Sequence, residues 1–173
     1  DIFYPQKSND SEISVELIVE EIHRSLYESS DMQKSNENTK VVIVINDKTR
    51  PVPNSLLLPP LLSCLKEIGI TNSNIKFLIA SGTHTPMRKS EYFLILPQDI
   101  VTNYEIIAHD CDNEADLIFR GVTSWGTPVY INRIFEQSDL RIVVGDIEPH
   151  HFAGFSGGVK SASIGLTGRK TIN

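Results

Sequence analysis

The stretch Val41-Val42-Ile43-Val44-Ile45 (VVIVI) decides the fold of this 173-residue chain. A run that is apolar and β-branched at every position, without alternating polar residues, is typical of a parallel strand buried on both faces of a sheet. Three further apolar runs follow along the chain and predict three more strands, at 75–80 (IKFLIA), 104–108 (YEIIA) and 140–144 (LRIVV).

Helical patterns separate these predicted strands. The pair Pro59-Pro60 predicts the start of a helix that ends near Ile68, and Gly69 is well placed as its C-cap. A second helix is predicted over 89–96, where Pro97 would stop it because proline lacks the backbone N–H that a helix needs.

Residues 117–132 predict an antiparallel excursion with turns at Gly126 and Pro128, and a short helix is predicted within 131–137. Strand and helix otherwise alternate in series, which favours a parallel sheet whose connections are helices. The predicted fold class is therefore α/β, with an open, mainly parallel (Rossmann-like) sheet and helices on both faces.

The chain divides into two predicted segments. Residues 1–40 are expected to form an N-terminal helix and a flexible connector, since apolar residues recur at helical spacing (Leu17, Ile18, Ile22 and Leu26) before the polar, aperiodic stretch 29–40. Residues 41–173 are expected to form an α/β domain that belongs to a longer protein. Asp1 in place of an initial methionine motivates that expectation.

The composition disfavours several functional classes. A content of 40% hydrophobic and 22% charged residues is ordinary for a globular protein, and the net charge of −6 disfavours a nucleic-acid partner. No apolar run approaches the ~20 residues that a membrane span requires. The first residues lack the basic start and apolar middle of a signal peptide. We therefore expect a cytoplasmic protein with no nucleic-acid and no membrane partner.

Polar and reactive side chains gather just after each of the four predicted strands. These clusters are 46–51 (NDKTRP), 81–86 (SGTHTP), His109-Asp110, and the group Asp146, Glu148, His150 and His151. The carboxyl ends of parallel strands share one edge of a sheet, and ligands of open α/β folds bind there. The pattern therefore predicts a functional site at that edge.

The residue types in these clusters indicate carboxylate binding and proton transfer. Arg50 offers a planar donor fork that suits a carboxylate or phosphate, and Asp47 would orient it or accept a cofactor hydroxyl; a surface ion pair is the structural alternative. His84 and His150 could act as a paired acid and base near neutral pH, or each could make structural hydrogen bonds. His109 and His151 are expected to be structural.

The run 154–160 (GFSGGVK) is typical of a loop that surrounds an anion with backbone N–H groups before a helix. It nearly matches a phosphate-binding P-loop, but Val159 stands where that motif requires glycine, so we reject that interpretation. Lys160 at its end has two possible roles, as an electrostatic partner of an anion or as a nucleophile that holds a cofactor covalently.

Three motifs together resemble the nickel-pincer lactate racemases over roughly residues 40–173. They are Asp47-x-x-Arg50-Pro51, Ser81-Gly82-Thr83-His84-x-Pro86, and Glu148-Pro149-His150-x-Phe152-Ala153-Gly154-Phe155-Ser156-Gly157-Gly158-x-Lys160. The last motif is long and specific, whereas each of the first two is weak alone. The resemblance implies the N-terminal domain of a racemase or epimerase of 2-hydroxy acids. It also implies that residues 41–173 are the α/β domain of a longer two-domain enzyme whose C-terminal domain is absent.

The resemblance also implies a cofactor and a role for each matching residue. The cofactor of that family is a nickel-bound, doubly thiolated pyridinium mononucleotide joined through a thioamide to a lysine, which Lys160 matches. His84 and His150 match two histidines that exchange the substrate hydroxyl proton while hydride passes to and from the cofactor. Arg50 matches the arginine that anchors the substrate carboxylate, and Asp47 an active-site aspartate. We expect the cofactor also to contact Ser156, Gly157 and Gly158.

Two departures from the family pattern limit what this chain is expected to do. Ile164-Gly165 stands where the family has Pro-Gly, which touches no assigned role. The family's nickel-binding histidine would fall beyond Asn173, so no metal ligand is assigned within the chain. The isolated chain is therefore expected to fold but to racemise nothing, and the cofactor is expected only in the full-length enzyme.

Two other functional classes stay open at this point. One is a non-catalytic nucleotide- or phosphate-binding module that uses the GFSGGVK run. The other is a metal-dependent hydrolase with His84, His109 and His150 as ligands, although these histidines lack the tight spacing of a dedicated zinc motif.

Overall fold

The structure, a computed structural model, describes residues 14–151 and 153–173. The first thirteen residues of the predicted segment 1–40 therefore lie outside the described residues, as does Phe152 of the third motif. Within the described residues, no helix is both long and apolar enough to cross a membrane.

Eight strands and seven α-helices make up the described chain. The strands are β1 (Val41–Asn46), β2 (Ile75–Ala80), β3 (Glu105–Ala108), β4 (Leu117–Val122), β5 (Pro128–Asn132), β6 (Leu140–Val144), β7 (Pro149–His150) and β8 (Gly154–Phe155). The α-helices are α1 (Val15–Tyr27), α2 (Ser30–Gln33), α3 (Asn54–Glu67), α4 (Gln98–Asn103), α5 (Arg133–Gln137), α6 (Gly158–Ser163) and α7 (Arg169–Ile172). Short 3₁₀ segments occur at Asn72–Asn74, Lys89–Leu94 and Glu114–Asp116.

The central sheet has four parallel strands in the order β3-β2-β1-β6. Every residue of β1 is buried, because this strand has a neighbour on each side and a layer on each face. The chain moves outward from β1 to β2 and β3 and then returns to the other side of β1 with β6. The crevice between β1 and β6 is thus the switch point at which ligands bind in sheets of this topology.

Alternate residues of β1 face two separate apolar layers. Ile43 and Ile45 belong to the larger core, which includes Leu58 and Leu65 of α3 and Ile100 of α4. On the opposite face, Val42 and Val44 join Leu78 and Leu166, and partly buried residues of α5 pack against them. The predicted fold class, with helices on both faces of a mainly parallel sheet, is confirmed.

Two hairpins lie outside the central sheet. Strands β4 and β5 pair antiparallel, which confirms the predicted excursion, with Gly126 at positive φ in the turn and Pro128 as the first residue of β5 rather than a turn residue. Strands β7 and β8 form a two-residue hairpin just beyond β6. This second hairpin contains the first part of the third motif, which continues into α6 and ends at Lys160.

The helix boundaries differ from the prediction at three places. Helix α3 begins at Asn54, so the Pro59-Pro60 pair lies inside it instead of at its start; burial of Leu58 and Leu61 on either side of the pair offsets the lost backbone hydrogen bonds. Residues Lys89–Leu94 form a 3₁₀ segment, and the α-helix α4 follows Pro97. The predicted connector contains α2, whose Met32 is buried in the larger core.

Candidate active site

The turn after β1 fixes the carboxylate of Asp47. Its Oδ1 accepts hydrogen bonds from the backbone N–H of Thr49 at 3.0 Å and from the Thr49 hydroxyl at 2.5 Å. The backbone N–H of Arg50 closes the turn by donating to the Asp47 carbonyl at 3.1 Å. An aspartate side chain that accepts from the backbone two residues later is a common way to stabilise such a turn.

The second carboxylate oxygen of Asp47 bonds to His84. Asp47 Oδ2 lies 2.7 Å from His84 Nδ1, which joins the loop after β1 to the loop after β2. Burial of the Asp47 carboxyl by itself raises its pKa, but the hydrogen bonds from Thr49 and His84 outweigh that effect and hold the pKa below its usual value. Asp47 is therefore ionised and can only accept, so His84 Nδ1 donates to it. In the neutral tautomer that this bond selects, Nε2 is the proton acceptor.

Arg50 pairs with Glu148 rather than with Asp47, which corrects the expectation that Asp47 orients the arginine. The ion pair joins Arg50 Nη1 to Glu148 Oε1 and connects the turn after β1 to the segment before β7. Both side chains are partly exposed, 26% and 34%, so a ligand that enters from solvent reaches them. A guanidinium has five N–H donors, and donors other than the one on Glu148 stay available to a carboxylate.

The Ser156 hydroxyl anchors the β7–β8 hairpin, because it donates one hydrogen bond and accepts another. Its Oγ donates to the Asp146 carbonyl at 2.9 Å and accepts from the Glu148 N–H at 2.8 Å, while the Ser156 N–H donates to the Glu148 carbonyl at 2.8 Å. These three bonds fix the backbone of Glu148, and with it the partner of Arg50. In this structure the Ser156 hydroxyl has a structural role.

His150 lies on β7 and lines the same cleft. Its Nδ1 accepts a hydrogen bond from the Ala153 N–H at 3.2 Å, so the proton of the neutral ring is on Nε2. Partial burial, followed by the positive charges of Lys160 and Arg50, lowers the pKa of His150. His150 is thus neutral near pH 7 with an Nε2–H donor, whereas His84 presents an Nε2 acceptor.

Lys160 lies on α6 with its side chain half-buried in the cleft. Its ammonium makes no hydrogen bond or ion pair with any of residues 14–151 and 153–173. Burial is the main effect that lowers the pKa of Lys160, and the charge of Arg50 adds to it, against the opposing charges of Asp47 and Asp146. A larger share of this amine is therefore unprotonated than in a solvent-exposed lysine.

A buried hydrogen-bond chain fixes the helix that bears Lys160. The Ser161 hydroxyl donates to Asn46 Oδ1 at 2.9 Å, and Asn46 Nδ2 donates to Asp146 Oδ1 at 2.8 Å. The sequence places Asn46 and Asp146 in the polar clusters after their strands but does not predict that they bond to each other or to Ser161. Asn46 is the last residue of β1, and an amide at the end of an apolar run gives no indication of its partners, which lie 100 and 115 residues away.

Glycines allow the surrounding loops to approach each other closely. A Cβ at Gly165 would lie 2.4 Å from the Ser161 carbonyl oxygen and 2.8 Å from the Cβ of Ala80, so no other residue fits. The Gly165 carbonyl accepts from the Gly82 N–H at 3.0 Å, which ties the loop after β2 to the end of α6. Gly157 precedes α6 with a φ of 124°, a conformation that favours glycine.

The loops enclose a cleft of about 560 Å³ at the carboxyl ends of β1 and β2. Six of the eight predicted site residues line it together: Asp47, Arg50, His84, His150, Ser156 and Lys160. The other two, Gly157 and Gly158, lie at the start of α6, where a Cβ added at Gly158 would lie 3.6 Å from the Val143 side chain of β6. His151, which is exposed, also lines the cleft.

His109 lies in the interior and not in the cleft. Its Nδ1 is 3.1 Å from Asn132 Nδ2, and its Nε2 is 3.1 Å from the Thr167 carbonyl oxygen. Burial lowers its pKa, and a neutral ring with its proton on Nε2 satisfies both contacts. The hypothesis of a hydrolase with His84, His109 and His150 as metal ligands is therefore wrong, because both His109 nitrogens are already bonded.

Comparison with known proteins agrees with this architecture. Residues 2–173 match the family described as lactate racemase N-terminal domain. The lactate racemase of Lactiplantibacillus plantarum is 34% identical over 164 residues, which are 87% of this chain and 38% of the relative. The lactate racemase of Thermoanaerobacterium thermosaccharolyticum is 35% identical over 142 residues, which are 82% of this chain and 33% of the relative.

Two solved structures share the fold. The lactate racemase apoprotein from Thermoanaerobacterium thermosaccharolyticum matches with a TM-score of 0.78 and 32% identity, over 90% of this chain and 38% of that one. A protein from Thermotoga maritima matches with a TM-score of 0.73 and 25% identity, over 92% and 40%. The chain thus spans 40% or less of the length of these relatives. Because the family match covers residues 2–173, nearly the whole chain, the chain belongs to the lactate racemase N-terminal domain family.

Proposed function

We propose that this chain is the N-terminal domain of a racemase or epimerase of 2-hydroxy acids that works with a nickel-pincer nucleotide attached to Lys160. One observation supports it most strongly: Arg50, the Asp47–His84 pair, His150 and Lys160 line a single cleft at the carboxyl edge of the sheet. The same cleft therefore contains a receptor for a carboxylate, two histidines and an amine.

The residues present fit such a cofactor. Lys160 would hold it covalently, since its amine is half-buried, has a lowered pKa and bonds to no described residue. The backbone of Ser156, Gly157 and Gly158 would contact it near the attachment point. When bound, the cofactor supplies an acceptor for the hydride on carbon 2 of the substrate.

Arg50 would bind the substrate carboxylate and so fix the position of carbon 2. It would use guanidinium donors other than the one that Glu148 occupies. With the carboxylate held at one place, the two enantiomers of a 2-hydroxy acid present their hydroxyl groups in different directions. Two proton-transfer groups are then needed, one for each enantiomer.

His84 and His150 would serve these two hydroxyl groups. His84 accepts a hydroxyl proton at Nε2, and the Asp47 carboxylate on Nδ1 stabilises the imidazolium that forms. His150 would serve the oxygen of the opposite enantiomer: once it has taken up a second proton, the imidazolium returns a proton from Nε2 and leaves the neutral ring behind. In the reverse direction the two rings exchange these roles, as required for racemisation.

The decisive experiment uses the full-length protein co-produced with the enzymes that make the cofactor. We expect the intact mass to show a modified Lys160, and a panel of chiral 2-hydroxy acids to identify lactate or a related acid as racemised. His84→Ala should reduce that rate by about 10²–10⁴-fold, the usual contribution of a general acid or base. The matched control, His23→Ala on α1, lies outside the cleft and should retain the rate.

An active enzyme with unmodified Lys160 would contradict the proposal. If the full-length protein turns over no 2-hydroxy acid, and the chain instead binds a mononucleotide or phosphate that Lys160→Ala abolishes, the non-catalytic binding module takes its place.

A further inference from the structure

We infer that Lys160, in the unmodified chain, is an imine-forming site for small 2-oxo acids, with Arg50 as the receptor for their carboxylate. This activity goes beyond the proposed racemase, because it needs neither nickel nor a nucleotide. It uses the amine as a nucleophile toward a carbonyl carbon, which is a general reaction of lysines in partly desolvated sites.

Lys160 differs from the other described lysines in its surroundings. Three of those lysines are neutralised by carboxylates: Lys48 by Glu91, Lys76 by Glu105 and Lys170 by Glu114. The described lysines without such a partner are otherwise exposed: Lys34, Lys40, Lys66 and Lys89. Among the residues that the structure describes, only Lys160 combines partial burial with an unpaired amine. Its burial and the charge of Arg50 also lower its pKa, which increases the fraction of nucleophilic amine.

The cleft contains the groups that a 2-oxo acid needs. Arg50 and Lys160 line the same cleft, so an anion receptor and an amine face one cavity. A 2-oxo acid has its carboxylate directly bonded to its carbonyl carbon, and this spacing suits two neighbouring groups, one that binds an anion and one that attacks a carbonyl. The cleft volume of about 560 Å³ is larger than such a small molecule requires.

The reaction is a condensation without any change in oxidation state. The Lys160 Nζ lone pair forms a bond to the carbonyl carbon, and the carbonyl π electrons move to oxygen, which takes up a proton. Nζ loses one proton, the C–O bond breaks, and the hydroxyl group leaves as water after it gains a second proton. The nitrogen lone pair then completes the C=N bond. His150 lines the same cleft as Lys160 and could transfer these protons.

The test is reductive trapping on the 173-residue chain, with pyruvate as the probe and cyanoborohydride as the reductant. Reduction turns the imine into a stable secondary amine, and the intact mass rises by one carboxyethyl group. Peptide mapping should place the adduct at Lys160 ahead of every exposed lysine. Lys160→Arg, which keeps the charge but removes the nucleophile, should abolish the adduct, while the control Lys66→Arg should leave it unchanged.

A second pair of measurements tests the role of Arg50. Arg50→Gln should reduce the trapped adduct roughly tenfold or more, the effect expected for loss of a charged hydrogen-bond donor. Acetone, a ketone without a carboxylate, should label Lys160 far less than pyruvate does.

Labelling spread evenly over the exposed lysines would overturn the inference, and so would equal labelling of Lys160 by acetone. Because mapping of the wild-type chain locates the adduct directly, the outcome does not depend on whether a variant folds. Trapping by the chain is also independent of racemisation by the full-length protein, so failure of one leaves the other intact.

Discussion

Asp47 shows how a single buried carboxylate is kept ionised by its neighbours. Its two oxygens accept bonds from Thr49 and His84, and these bonds stabilise the charged form more than burial destabilises it. A group whose pKa is lower in the folded state contributes stability above its unfolded pKa of about 3.9. That contribution is lost as the pH falls from the unfolded pKa to below the pKa of Asp47 in the folded chain.

Asp47→Asn should therefore destabilise the chain by about 1–3 kcal/mol at pH 7, where the wild-type carboxylate is charged. The difference between the two proteins should shrink as the pH falls below 4, because the wild-type carboxyl then becomes neutral too. Urea unfolding of both proteins at several pH values measures this difference. Asp31→Asn is the control, since Asp31 is exposed and its side chain bonds to no described residue. A difference that grows at low pH would contradict the account.

The lowered pKa of Lys160 predicts its reactivity toward an acylating reagent. The unprotonated amine is the reactive form, so labelling should reach half of its plateau at a pH below the ~10.4 of an unperturbed lysine. Mass spectrometry of Lys160 peptides across a pH series, each normalised to its own plateau, gives the midpoint without interference from accessibility. A midpoint at or above the unperturbed value would show that Arg50 and burial do not act on the amine as described.

At the scale of elements, the close approach of α6 to β2 depends on Gly165. Gly165→Ala should destabilise the chain by about 1–3 kcal/mol or more, because the added methyl overlaps the Ser161 carbonyl and the Ala80 side chain. Urea unfolding measures the effect. Gly158→Ala is the matched control, since an added Cβ there meets Val143 at an ordinary 3.6 Å and should change stability little. Equal effects of the two substitutions would contradict the packing argument.

At the scale of the whole molecule, buried apolar layers lie on both sides of β1, and we expect them to support folding of the chain on its own. We expect the chain to unfold cooperatively in urea and to racemise no 2-hydroxy acid. Under the proposed function, racemisation also needs groups from the rest of the enzyme, because this chain spans 40% or less of the length of its relatives. Circular dichroism during urea unfolding tests the first expectation, and chiral chromatography of lactate incubated with the chain tests the second. Racemisation by the chain alone would contradict the assignment of those groups.

The sequence predicts the strands and the edge of the sheet at which the site lies, because buried parallel strands have an unambiguous pattern and their carboxyl ends coincide. It does not predict the pairings within the site. Asp47 and Arg50 are three residues apart, which suggested a mutual contact, yet each bonds to a residue from another loop, His84 and Glu148. Such partners are set by tertiary packing, and the spacing of residues along the chain does not determine that packing.

The start of α3 was mispredicted for a related reason. Proline is common in the first turn of a helix, so Pro59-Pro60 indicated a start, whereas the buried Leu58 extends the helix back to Asn54. Local preference was outweighed there by burial in the core.

The hydrogen-bond chain Asp146–Asn46–Ser161 has a consequence for the rate at which the site forms. Its two bonds close segments of 100 and 115 residues, and the parallel pairing of β1 with β6 is of similar range. Contacts so distant in sequence form late and slowly, because the entropy of a long loop is lost before any bond compensates for it. Lys160 therefore reaches its place only once nearly the whole chain has folded, and an incompletely folded chain presents no assembled cleft to a reactive cofactor.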